Sequence, residues 1–141
     1  MNELHPGELA GFVRRFGFKG GRVRRVSLRH ADGELALRLQ LRVRDSHGLS
    51  MLDEPRPVRL TIELRPLEEM RLQKRPLSQI GRLRAVRLGR LQGQFFVDLD
   101  PLSLEAGEIA GLHDFRASDC YFAARSLYWE VTPIESNGSA G

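Results

Sequence analysis

The sequence predicts a mainly β protein, an antiparallel β-sandwich or half-open barrel of seven to eight strands with one short N-terminal helix. Three observations carry that expectation. Apolar and polar residues alternate in ELALRLQLRVR, Glu34 to Arg44, and again in PVRLTIELR, from Pro57. A period of two marks a strand buried on one face and wet on the other. Breaks bearing Gly, Pro or Asp separate such runs at short intervals, as in all-β domains. The wet face argues for antiparallel pairing, since parallel sheets are covered on both sides.

Taken in order, Leu9, Phe12, Val13 and Phe16 fall at helical spacing and place four apolar groups on one side of a short helix. Gly17, Gly20 and Gly21 end it. In RVRRVSLRH, Val26 and Leu28 alternate correctly while Val23 is out of phase, so a bulge near Arg24 and Arg25 is expected. Asp32-Gly33 supplies the positive φ of a tight turn, and residues 22–44 read as a hairpin.

Asp45 to Arg56 is a polar loop. Val58, Leu60, Ile62 and Leu64 then alternate with Arg59, Thr61, Glu63 and Arg65. Beyond Pro66, LEEMRLQKR reads as a further strand, although Leu67 to Met70 also fits a helical turn. Pro76 to Gly81 is a connection, and RLRAVRLGRL gives a strand with Leu83 and Ala85 on one face. Leu91 to Gln94 turns the chain into QFFVDLD, with Phe95, Val97 and Leu99 inward. After an excursion from Pro101 to Leu112, FRASDCYFAA and SLYWEV read as two closing strands, with Leu127, Trp129 and Val131 in one apolar row. Residues 1–132 form a single domain and residues 133–141 a flexible tail, because SNGSAG has nothing to bury.

A length of 141 residues suits one domain with a real core. The opening MNELHPGELAG lacks the basic-then-apolar order of a signal peptide, and no window approaches the ~18 apolar residues of a membrane span. The single Cys120 excludes an intrachain disulfide and fits a reducing compartment, so the expected location is cytoplasmic, without a membrane partner.

Charge is uneven along the chain. Residues 1–92 hold 20 basic and 10 acidic side chains, while residues 93–141 hold 2 and 8. The net of +10 and −6 gives the overall +4, so the two parts either neutralise each other across a sheet or leave a basic surface for an acidic partner. Of the 22 basic residues only Lys19 and Lys74 are lysine, a bias that genome composition also produces.

No catalytic, cofactor or metal motif stands out, and the expectation is a non-enzymatic protein without cofactor. Asp45-Ser46-His47 holds three triad residue types, but triad groups converge from separated positions. No pair among His5, His30, His47 and His113 has metal-site spacing, although His113-Asp114 offers half of a ligand set. Cys120 reads as a small buried hydrophobe. Asp98, Asp100, Glu105 and Glu108 miss the calcium-loop pattern and read as a solvated strand end.

The arginines remain. Arg38, Arg42 and Arg44 share one face of a strand, Arg59 and Arg65 another, and Arg82 and Arg84 a third. If those strands are neighbours, a cationic face results, and these seven are the candidate partner-binding residues. Nucleic-acid sheets usually add exposed aromatics, and only Phe96, Tyr121 and Tyr128 are available.

The run from FVRRFGFKGGRVRRVSL through ELALRLQLRV and VRLTIELRPLEEMRL to FFVDLDP and a closing segment with Cys120 and Trp129 resembles small bacterial β-rich immunity proteins of polymorphic toxin systems. The resemblance spans roughly residues 12–132 and is a strand pattern. Leu64 stands where those chains often carry an aromatic, and Arg75–Arg82 lacks their asparagine-containing stretch. It implies an intracellular, non-catalytic protein that binds another protein, possible partners including an acidic toxin, and it transfers no catalytic residue. The alternatives are a nucleic-acid-binding module using the arginine face and a small-ligand-binding barrel; exposed strand edges also allow a homodimer.

Overall fold

The computed structural model describes residues 1–50, 52–72, 81–102 and 109–134. The described elements run β1 (Asn2–Glu3), a 3-10 turn (Pro6–Glu8), α1 (Leu9–Arg15), β2 (Phe16–Ala31), β3 (Glu34–Asp45), β4 (Arg56–Leu72), β5 (Arg87–Leu91), β6 (Gln94–Asp98), α2 (Leu112–Arg116) and β7 (Cys120–Pro133). All pairings are antiparallel, in one seven-stranded sheet of order β2-β3-β4-β7-β6-β5, with β1 on the β7 edge beyond β6.

The sheet curls back on itself. Ahead of β5, the Leu83 amide donates to the Gly21 carbonyl at 2.8 Å and the Val23 amide to the Gly81 carbonyl at 2.7 Å. These bonds tie β2, one edge of the sheet, to the segment entering β5, the other edge. The architecture is the half-open barrel of the two forms expected.

One core fills the concave side. Leu37, Leu39 and Leu41 of β3, Leu60, Ile62 and Leu64 of β4, Val97 of β6 and Phe122 and Leu127 of β7 are all fully buried within it. Burying each such side chain stabilises by ~1.5–3 kcal/mol. The alternation in Glu34–Arg44 fixes this register, because a one-residue slip exchanges the whole inward set for the outward one. α1 lays Phe12 against Phe16 and Trp129, at ring-centroid distances of 5.0 and 5.5 Å.

The β2–β3 hairpin turns at Asp32-Gly33, both at positive φ, and carries its bulge between Val23 and Arg25. β4 continues through Pro66 to Leu72 as a strand. Several expectations need correction. The helix ends at Arg15, one residue before Phe16, which is already extended and starts β2. Val13 faces solvent rather than the core. The strand expected over 82–91 is regular only from Arg87, and Ala85 is exposed. Phe115 and Arg116 belong to a second helix, and the two expected closing strands are one continuous β7. That strand includes Pro133, the first residue assigned to the tail; residues 135–141, with most of that tail, and most of the Pro76–Gly81 connection lie outside the described residues.

A second, smaller core lies on the convex side. Phe96 and Tyr121 face outward from β6 and β7, yet both are buried, because Phe115 of α2 covers them. Phe115 reaches that position over Gly89, where a Cβ would stand 2.7 Å from its Cζ. Arg116 holds the helix down through a bidentate pair with Glu69 at 3.0 and 2.7 Å, and the Tyr121 hydroxyl donates to the same carboxylate at 3.0 Å.

Candidate cationic binding face

Register across the barrel decides which arginines meet. Arg59 of β4 pairs with Arg42 of β3, and Arg42 pairs with Arg22 of β2. Arg22 in turn bridges to Arg82 in the closing segment. Four arginines from four adjacent segments thus lie in a single row on the convex face, and all four are exposed. At about 4.8 Å between neighbours the row is roughly 14 Å long. The two amide bonds flanking Arg22 and Arg82 leave that pair in the non-hydrogen-bonded position, where side chains come closest.

Thr132 of β7 ends the row opposite Arg59, so no acid stands in it. Like charges directly opposite each other destabilise a sheet. Arg44, paired with Gly17, adds a cation one position along on the same face.

The bulge where β2 joins β3 opens a cleft beside the row. Gly17 pairs with Arg44 and Arg22 with Arg42, so residues 18–21 stand opposite Val43 alone. The cleft holds about 190 Å³ and is lined by Gly17, Lys19, Gly20, Gly21, Arg22, Arg42, Val43, Arg44 and Pro57. It has four cationic side chains and no acidic one.

Three of the seven expected site residues stand otherwise. Arg38 is tied to Glu63 at 3.2 Å, and Arg29 reaches the other oxygen of that carboxylate at 3.3 Å. Burial pushes the Glu63 carboxyl up, but the hydrogen bonds from Arg38 and Arg29 outweigh it and leave it below the ordinary glutamate value. Arg38 therefore serves a structural ion cluster. Arg65 lies over the Tyr128 ring, 4.1 Å from its centroid, and is half-buried. Arg84 is exposed, outside the row. Sequence reasoning missed Arg22, because the bulge hides its register, and the pairing of Arg82, which lies outside any regular strand.

The remaining candidates resolve as local structure. Arg15 donates two hydrogen bonds to Asp45 at 2.8 and 2.9 Å, which lower its pKa, and Ser46 donates to the Arg15 carbonyl. Asp45 also accepts from the His47 amide, so these three residues form a turn, with no triad geometry. Cys120 is buried in the core. Asp98 is not a solvated strand end: it is fully buried, accepts from the Asp100 amide, and burial raises its pKa. Glu105 and Glu108 lie outside the described residues. Among the described residues no group of three or more His, Cys, Asp or Glu is placed to hold a metal, and no helix is long and apolar enough to cross a membrane.

The fold and face together define a curled antiparallel sheet with a continuous core on its concave side and a row of arginines on its convex side. No family model matches the chain, and neither the curated proteins nor the solved structures provide a match.

Proposed function

We propose that this protein is a non-catalytic binding domain that takes an acidic protein partner on the convex face of β2, β3 and β4. The observation that carries this reading is the row Arg82–Arg22–Arg42–Arg59, four like charges held in register without an acid among them. Like charges opposite one another cost the fold stability, a cost that a docked anionic surface would offset. Planar guanidinium groups suit side-chain carboxylates, which they bind through paired hydrogen bonds. Neutralisation of an acidic toxin, the role implied by the immunity-protein resemblance, is one form of this reading.

The aromatic complement favours a protein over nucleic acid. Phe96 and Tyr121 are buried under α2 and Tyr128 lies beneath Arg65, which removes all three as base-stacking platforms. The continuous cluster of buried side chains on the concave side likewise argues against an apolar ligand there.

The test is a fluorescence-anisotropy titration with a labelled Asp/Glu-rich peptide and, separately, with heterogeneous RNA and DNA, each at 50 and 300 mM salt. Peptide binding that weakens with salt and is lost when Arg22 and Arg42 become Gln supports the reading. Tighter binding of nucleic acid than of peptide, or no peptide binding at 50 mM, overturns it.

A further inference from the structure

The cleft beside the arginine row has a chemistry of its own, and we infer that it is a binding site for a phosphate dianion, free or as a monoester. The inference rests on the cationic-face reading for the sign of the ligand and goes beyond it in naming a small-molecule site. Lys19, Arg22, Arg42 and Arg44 line a space of about 190 Å³ with no acid in its wall. Small-molecule pockets usually run ~300–1,000 Å³. A cleft below that range suits an ion of several heavy atoms rather than a large ligand. A single carboxylate would neutralise one of four cations, whereas a tetrahedral dianion offers acceptors to several donors at once.

Two glycines of the cleft wall stand under different constraints. At Gly21 the constraint is backbone packing, since a Cβ would stand 2.5 Å from the Arg42 carbonyl oxygen. Gly17 is different. It is exposed, and a Cβ there would meet only the Arg44 Cβ, at an ordinary 3.6 Å. The fold therefore tolerates a side chain at 17, and because Gly17 lines the cleft, a larger residue there is placed to narrow it.

The experiment is isothermal titration with inorganic phosphate and with O-phosphoserine, against sodium chloride of equal ionic strength. It compares the native chain with Gly17→Val, Arg42→Gln and Arg14→Gln, the last an exposed arginine of α1 outside the cleft. Circular dichroism confirms that each variant is folded. Saturable phosphate binding that weakens about tenfold or more in Gly17→Val and Arg42→Gln but not in Arg14→Gln is the expected result. Tighter binding of O-phosphoserine assigns a monoester, and tighter binding of inorganic phosphate assigns the free ion. Heat no greater than that of chloride, or binding that both cleft variants retain, overturns the inference. Gly17→Val keeps every arginine, so the acidic-peptide titration on the same sample separates the two readings: loss of phosphate with peptide binding intact concerns the cleft alone.

Discussion

Replacing Arg42 by Gln should make the protein more stable. Arg42 has two direct cross-strand neighbours, Arg22 and Arg59, both cationic, and no ion pair of its own among the described residues. Each cross-strand charge pair contributes roughly 0.2–1 kcal/mol, with like charges unfavourable. Removing two such contacts should therefore stabilise by about 1 kcal/mol, which for a domain of this size raises Tm by ~3–4 °C. The gain should fade in 1 M salt, where the Debye length falls to ~3 Å. Arg38 is the internal contrast, four residues away on the same strand. Among the described residues Arg38→Gln leaves the buried Glu63 with the longer ion pair to Arg29 alone, and should destabilise by ~1–2 kcal/mol. Thermal unfolding at 20 mM and 1 M salt reads both. A lower Tm for Arg42→Gln at low salt, or a gain unchanged by salt, would refute the idea that the row is a strained like-charge array.

Other outcomes follow from the packing and the buried acids. Gly89→Ala drives a methyl into Phe115, 2.7 Å from its Cζ, and should cost ~1–3 kcal/mol by lifting α2, measured by urea unfolding. Phe96→Ala should cost ~3–5 kcal/mol by the same assay, since Phe96 anchors the convex core. Asp45 and Glu63 have pKa values below their ordinary carboxylate range, so their contribution is present above about pH 4.5 and lost as pH falls below it. Asp98 has the opposite sign: its pKa is raised, so its contribution is fullest below the ordinary aspartate value and declines as pH rises through the folded value. Asp98→Asn should remove that decline, visible as a steeper net rise in Tm between pH 3 and 6.

How much of this was legible in sequence depends on the range of the interaction. The strand Glu34–Asp45 and the turn at Asp32-Gly33 depend on neighbours one or two residues away, and the phase error at Val23 announced its bulge. The convex core was illegible, because Phe96, Phe115 and Tyr121 meet only once a five-residue helix folds over Gly89. Period-two reasoning assigned Phe96 and Tyr121 to the wet face; they do point that way, but α2 dries it. Arginine candidates were chosen by strand face, which is correct for Arg42, Arg44 and Arg59. Which of them meet depends on register across strands and on the closure between Gly21 and Leu83, neither of which is written in any local pattern. Glu63 likewise gave no local sign that it would take Arg38 and Arg29 out of the face.

The central claim is that the arginine row is the contact surface. It is tested most directly by following the arginine side-chain Nε–Hε resonances by NMR during titration with an acidic peptide. Shifts concentrated at Arg22, Arg42, Arg59 and Arg82, with Arg116 and Arg125 unmoved, are the result expected. Shifts spread evenly over all exposed arginines, or centred on Arg116 and Arg125, would contradict it.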